Sequence, residues 1–433
     1  MRDKILILYA LSILLGILTG CVGSLLQLSI TWLGKLLTWW FSFANAHDWP
    51  VELVSALTTM VMVYLSWALV KWVASEASGS GVQEIEGTLL HERPIFWRRL
   101  LPVKFIGGVL AISSKMVLGR EGPTIQIGGN IGEMLGEWFS LPRKRRDSLI
   151  AAGAAAGLAT AFNAPLAGVL FVLEEMRNEF NFSFVNFKMV AICCVMATIV
   201  LHLIIGPQPD IPMDVFSLPS LQSLWLFFLF GILVGFVGLF FNTFLMKVLY
   251  GLDQLKPWVK DLYVLVIGLL VGYLAYMQPN FVGGGYVIIE KSLTLDPGLS
   301  MLLIIFIVRF IMTLLCYGTG VPGGIFAPML ALGTILGLAA SHILQAISND
   351  LTIHPGMFAV AGMGALFAAA VRAPVTGIIL VVEMTQNYLL ILPLMVTCLT
   401  STTIVQLAKN APIYTQLLHR TLKKAHAEET LDT

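Results

Sequence analysis

The residues Gly119-Arg120-Glu121-Gly122-Pro123-Thr124 form a short polar break between two long apolar runs, Leu101–Leu118 and Thr124–Phe139. Both runs read as helices, with one charge, Lys115, in the second half of the first. Glu121 is therefore expected at membrane depth rather than in a solvent loop. Glycines on both sides of the Arg-Glu pair allow backbone conformations closed to other residues, and Pro123 fits the first turn of the following helix, where its missing N–H removes nothing. Irregular backbone inside a bilayer is tolerated only where protein buries it or it lines a wet cavity, and an ionisable residue there is a functional candidate by default. Two readings follow. Arg120 and Glu121 simply neutralise each other at a helix junction; or Glu121 is tethered beside a helix start whose unpaired N–H groups attract anions. In the second case the carboxylate occupies an anion site and leaves it when protonated, which makes a proton-operated gate.

Composition sets the class. Of 433 residues, 57% are hydrophobic and 12% charged, with a mean hydropathy of +0.85, which identifies a polytopic membrane protein. A net charge of +1 argues against a nucleic-acid partner. The five cysteines, Cys21, Cys193, Cys194, Cys316 and Cys398, all lie in apolar runs and read as small packing residues, with no disulfide or metal spacing. The histidines are scattered, so no metal is expected. No HExxH, no Gly-x-Ser-x-Gly elbow and no histidine near Ser80 supports an intramembrane enzyme.

Taken in order, Ile5–Leu33 is too long for a signal-peptide core and reads as a retained span, with Gly16 and Gly20 as a small-residue face for helix contact. A second span is expected over Val51–Val73. The segment Glu76–Gly87 is glycine-rich and acidic. It reads either as a surface loop or as a turn, Gly79-Ser80-Gly81, presenting one hydroxyl at a helix start near Val82. Arg93, Arg98, Arg99 and Lys104, then Arg143–Arg146, are basic clusters of the kind the positive-inside rule places in the cytoplasm. Broken helices leave the orientation unassigned. Pro207–Pro219 reads as an exposed connection, Leu221–Leu249, Leu262–Met277 and Leu389–Ala408 as spans, and Asn280–Ser292 as a loop on account of Gly283-Gly284-Gly285. A short helix is expected to open at Ala411-Pro412-Ile413-Tyr414, followed by a polar, frayed tail from Arg420.

The chain is internally duplicated. Sliding Ala152–Glu175 onto Ala361–Met384 pairs Gly153 with Gly362, Ala164-Pro165 with Ala373-Pro374, Gly168 with Gly377 and Glu174 with Glu383. A similar offset sets Gly119 and Gly122 against Gly320 and Gly323, and Gly132 and Gly136 against Gly333 and Gly337. The repeats are expected over about residues 5–206 and 220–408, with a C-terminal helix and tail at 409–433. Binding sites in such proteins lie where the halves meet. The second half supplies its own break, Gly318–Pro328, which carries no charge and whose glycines free backbone N–H groups to face a cavity.

At these breaks the sequence resembles the CLC chloride channels and chloride/proton antiporters along nearly its whole length. The family pattern GREGP stands intact at Gly119–Pro123, GxFxP appears as Gly324-Ile325-Phe326-Ala327-Pro328, GSGxP appears as Gly79-Ser80-Gly81-Val82-Gln83, and the tyrosine follows at Tyr414. Gln83 stands where the family usually has proline; the serine is present. The resemblance implies an all-α membrane fold of about eighteen tilted and partial helices in two inverted repeats. It also implies a homodimer with one ion path per subunit, surrounded by lipid. The prokaryotic type, without cytoplasmic regulatory domains, implies a multi-pass protein of the cell inner membrane.

Residue by residue, the resemblance implies a central chloride site made by the Ser80 and Tyr414 hydroxyls and the Ile325 and Phe326 amides. Glu121 is the implied gate, amides around Arg120 and Gly122 an outer anion site, and Glu175 the inner proton acceptor. The repeat supports a distinct role for Glu175: Glu174 has a counterpart in Glu383, whereas Glu175 faces Met384. Glu86 matches an acidic position near the proton route, or is a helix-start charge. The expected activity is exchange of chloride for protons without a cofactor; the alternative is a passive voltage- or pH-gated chloride channel.

Overall fold

A computed structural model describes residues 2–176, 183–213, 216, 221–295, 297–347 and 354–432. Part of the Pro207–Pro219 connection and the last residue of the tail lie outside the described residues. The described residues form seventeen α-helices and no β-strand, in the order α1 (Arg2–Ala46), α2 (Val51–Trp72), α3 (Val82–Leu89), α4 (Trp97–Ser113), α5 (Glu121–Trp138), α6 (Arg143–Phe162), α7 (Pro165–Glu175), α8 (Phe184–Ile204), α9 (Leu224–Asp253), α10 (Pro257–Met277), α11 (Tyr286–Leu295), α12 (Leu299–Gly318), α13 (Phe326–Ile347), α14 (Pro355–Val371), α15 (Pro374–Thr385), α16 (Ile391–Leu407) and α17 (Ile413–Asp432). Among the described residues, eight helical segments are long and apolar enough to cross a membrane. Leu25, Leu28 and Trp32 on α1 and Phe228, Leu229, Phe236 and Phe240 on α9 are exposed, an apolar surface of the kind that marks a membrane or protein contact.

Polar breaks set the element ends. Asn163 and Arg372 take left-handed conformations that stop α6 and α14, and Pro165 and Pro374 start α7 and α15 one residue further on, after Ala164 and Ala373. Helix for helix, α1–α8 and α9–α16 follow in the same order and pack alike: α5 on α6 and α13 on α14, α1 on α8 and α9 on α16. Glycines govern the closest of these contacts. A Cβ on Gly128 would strike the Gly153 carbonyl, and one on Gly333 the Gly362 carbonyl, so each pair lets two backbones touch. Gly16 and Gly20 press α1 onto α8, as Gly231 and Gly235 press α9 onto α16.

Two carboxylates tie the halves together. Glu174, near the end of α7, accepts from Val375 N and Thr376 N at 3.0 and 2.7 Å, at the start of α15. Glu383, near the end of α15, accepts from Leu166 N and Ala167 N at 3.1 and 2.8 Å, at the start of α7. Each acid satisfies unpaired donors of the other half, where a helix start favours negative charge.

Four expectations are corrected. The first apolar run ends as a helix at Ser113, and Lys115 adopts a left-handed backbone (φ 66°) in the turn that follows. Lys104 does not belong to a cytoplasmic basic cluster: it is fully buried in α4 and donates to the carbonyls of Ala77 and Gly79 at 2.9 and 2.7 Å. The loop read from Asn280 to Ser292 extends only to Gly285, because α11 starts at Tyr286. The polar tail continues α17 to Asp432, with Arg420 bonded to Asp253 at 2.6 and 2.7 Å.

Candidate functional site

Three polar breaks meet in the protein's interior. Gly119 N donates to Gly324 O at 2.7 Å and Gly324 N returns to Gly119 O at 2.8 Å, while Gly323 N donates to Gly79 O at 3.0 Å. These bridges hold the segments before α3, α5 and α13 side by side, and α17 packs against α3. The starts of four helices thus converge, each with a fractional positive charge and donors its own helix does not use. Gly81 (φ 90°) reaches a conformation that L side chains rarely adopt, and a Cβ there would overlap Gln126. Two buried cations fix the approach loops. Lys104 on α4 binds the carbonyls ahead of α3. Arg309 on α12, 1% exposed, binds those of Asn280, Val282 and Gly283 at 3.1, 2.8 and 2.6 Å, ahead of α11. The two cations sit at the same distance from the last residues of their helices, Ser113 and Gly318, so the device is repeated in both halves.

The structure brings Ser80, Gly122, Ile325, Phe326, Tyr414 and Glu121 together. Ser80 lies against Gly122, where any Cβ would strike its hydroxyl. The Tyr414 ring packs on Phe326 with centroids 6.2 Å apart, and Phe326 also meets Phe162, Phe171 and Phe367 at 5.6, 6.0 and 4.4 Å. Ser80, Ile325, Phe326 and Tyr414 have no solvent exposure. The Ser80 hydroxyl is a polar neighbour of the Tyr414 hydroxyl, as is Tyr317, yet neither the Ser80 nor the Tyr414 oxygen completes a hydrogen bond of standard geometry. Two buried hydroxyls left unpaired cost about 1–3 kcal/mol each, so an acceptor is expected to complete them. Both are neutral donors set in an aromatic wall, which suits an anion.

Glu121 is the first residue of α5 and is fully buried. Its Oε1 accepts from the Tyr286 hydroxyl at 2.7 Å and its Oε2 lies 3.4 Å from Ala327 N, in the first turn of α13. Arg120 turns elsewhere: it bonds Asp210 at 2.8 Å and the Ala161 carbonyl at 3.2 and 3.3 Å, with its guanidinium 4.8 Å from the Tyr286 ring centre. Arg120 therefore does not form an ion pair with Glu121, and the carboxylate is held by a hydroxyl and a helix start. Glu175 ends α7, half-buried, and the Tyr414 hydroxyl lies within electrostatic reach of both Glu121 and Glu175. Glu86 is buried in the middle of α3.

A cavity of about 380 Å³ is lined by Ser78 and Gly79, which directly precede Ser80, and by Gly318–Gly320. Lys71, Arg93, Lys260, Arg420 and Lys424 line it against only Glu84 and Asp253. The excess of cations raises the local concentration of anions. Among the described residues no group of three His, Cys, Asp or Glu side chains could hold a metal.

Sequence reasoning missed Tyr286, Asp210 and Arg309. Tyr286 was hidden by the glycines before it. The repeat carried the signal, because α11 holds in the second half the place that α3 holds in the first. Arg309 was legible as a lone charge in an apolar run, Leu299–Gly318.

Comparison with known proteins bears on the family and the fold. A family model described as "Voltage gated chloride channel" matches residues 60–406. The H(+)/Cl(−) exchange transporter ClcA of Vibrio parahaemolyticus is 45% identical over 414 residues, covering 95% of this chain and 89% of the relative. That of Yersinia pestis is 45% identical over 435 residues, covering 98% and 90%. The crystal structure of a slow cyanobacterial Cl−/H+ antiporter superposes with a TM-score of 0.93 at 41% identity, covering 96% of this chain and 98% of that one. A eukaryotic CLC transporter, 22% identical with a TM-score of 0.82 over 98% of this chain and 75% of that one, shares the fold.

Proposed function

This chain belongs to the voltage-gated chloride channel family, and from that footing we propose that it exchanges chloride for protons across a membrane, gated by Glu121. It is a multi-pass membrane transporter and not an enzyme. The observation that carries the gate is the position of Glu121. A buried carboxylate is held by the Tyr286 hydroxyl and faces the start of α13, beside the Ser80 and Tyr414 hydroxyls.

The mechanism follows from competition. Chloride moves from the basic cavity past Ser80 to a site made by the Ser80 and Tyr414 hydroxyls and the Ile325 and Phe326 amides. Neutral donors hold an ion without trapping it, which transport requires. The Glu121 carboxylate is a second anion in the same field of helix starts, and two like charges cannot share it cheaply. Chloride arriving nearby favours protonation of Glu121, and the neutral side chain then leaves the path. Amides around Arg120 and Gly122 serve the outer anion position. Glu175, at the end of α7, passes protons to the opposite side, with Glu86 as a support on that route. Coupling results because the group that blocks the ion is the group that takes the proton.

The repeats are assigned to residues 5–206 and 220–408, with α17 appended. The native assembly is assigned as a homodimer in the cell inner membrane, lipid covering its apolar faces. The purified protein in liposomes, under opposed chloride and pH gradients, tests the exchange. Its reversal potential is expected to depend on both gradients, whereas a value set by chloride alone means a passive channel.

A further inference from the structure

Tyr286 is the first residue of α11, and the structure fixes it firmly. The loop ahead of it is pinned through three carbonyls by Arg309, and Gly285 (φ 120°) makes the final turn into the helix. The hydroxyl donates to Glu121 Oε1 at 2.7 Å, and the ring lies under the Arg120 guanidinium. Asp210 is salt-bridged to Arg120 through Oδ1 at 2.8 Å. Its second oxygen, Oδ2, is buried and makes no hydrogen bond, and Tyr286 is the hydroxyl near enough to supply one. Ile211 N, bonded to Met384 O at 3.1 Å, anchors the chain beside Asp210. One hydroxyl with one proton therefore stands between two carboxylates.

We propose that Tyr286 is a positioning residue for the exchange reaction: it latches the Glu121 carboxylate in the ion path and turns to Asp210 when Glu121 takes a proton. A tyrosine hydroxyl donates once. With Glu121 ionised, the donor serves Glu121 and Asp210 Oδ2 goes without. With Glu121 protonated, its own O–H can donate to the Tyr286 oxygen, and the tyrosine proton turns to Asp210 Oδ2. No covalent bond changes hands; one donor exchanges acceptors. The latch stabilises the closed state only while the carboxylate is charged, so it makes release depend on protonation. This inference rests on Glu121 being the gate.

The groups facing Glu121 are Arg120 beside it, Asp210 from the connection after α8, Tyr286 from α11 and Tyr414 from α17. The first turn of α13 adds the Ala327 amide and no titratable side chain. Of these side chains, Tyr286 is the one that donates a hydrogen bond to the carboxylate, so the bond can be removed singly. Tyr286→Phe keeps the ring under Arg120 and deletes the donor. A hydrogen bond to a charged acceptor favours the carboxylate over the acid by roughly ten- to hundredfold. Proton-coupled chloride flux in liposomes, measured across pH, is therefore expected to have its midpoint about one to two pH units more alkaline in the variant. In a Glu121→Gln background, where the side chain no longer titrates, the same substitution is expected to leave the pH dependence unchanged.

An unchanged or more acid midpoint for Tyr286→Phe overturns the latch. If Glu121→Gln remains proton-coupled, the gate reading itself fails, and the two failures are thus distinct. Should the Phe variant not assemble, infrared difference spectra of the native protein with labelled tyrosine decide. A tyrosine C–O band that shifts together with the carboxylic acid band on acidification supports the latch, and one that stays fixed overturns it.

Discussion

Tyr414→Phe removes one oxygen from the centre of the protein and is expected to move stability and chloride binding in opposite directions. The ring keeps its contact with Phe326 at 6.2 Å and the surrounding cluster of Phe162, Phe171 and Phe367. No cavity larger than a hydroxyl opens. The oxygen lost is buried and completes no hydrogen bond of standard geometry within the protein, so in chloride-free buffer its removal relieves a desolvation cost of about 1–3 kcal/mol. With chloride present the same oxygen donates to an anion, an interaction of about 1.5–3 kcal/mol, and its loss weakens binding by roughly ten- to hundredfold. The assay is thermal unfolding in detergent, with chloride replaced stepwise by a large, non-transported anion, alongside calorimetric titration of chloride. The variant is expected to unfold at a higher temperature than the native protein without chloride, and to gain less from chloride. A variant that is less stable without chloride and binds it as tightly would show that the hydroxyl serves the protein rather than the ion.

Glu175→Gln is expected to stop proton movement while chloride still passes, because Glu175 ends α7 and is not one of the donors of the proposed ion site; flux assays with pH and chloride electrodes on the same liposomes check this. Glu174→Gln and Glu383→Gln each replace a charged cap that receives two backbone N–H groups of the opposite half, and each is expected to cost about 1–3 kcal/mol of stability while leaving the proton-to-chloride ratio unchanged. Gly333→Ala drives a methyl into the Gly362 carbonyl; overpacking of this kind costs about 1–3 kcal/mol or more, and a lowered thermal midpoint in detergent checks it, with α13 shifted away from α14.

The sequence carried the membrane class, the polar breaks and the doubled order of helices, since a bilayer makes apolar length and isolated charge conspicuous. Glu121, Ser80 and Tyr414 were each visible as polar groups at helix starts. What it did not carry was partnership across the halves. Lys104 read as a member of a surface basic cluster because nothing local says that its ammonium ends on the Ala77 and Gly79 carbonyls. Arg120 and Glu121 are chain neighbours, yet their partners, Asp210 and Tyr286, come from later in the chain. Tyr286 was masked for a different reason. Three glycines argued for a loop, although they end in the turn that aims α11 at Glu121. Glu174 and Glu383 were legible as scaffold from the repeat alone, while their exchange of caps required the two halves to be seen together.

Chloride-driven proton uptake into liposomes by Glu121→Gln, set beside the native protein at the same chloride gradient, tests the central claim most directly. With chloride loaded inside, the native protein is expected to acidify the lumen against the proton gradient in proportion to chloride efflux. The Gln variant is expected to carry chloride with no proton movement at any pH. Sustained proton pumping by the Gln variant would contradict the account, since the gate and the coupling group would then not be the same side chain.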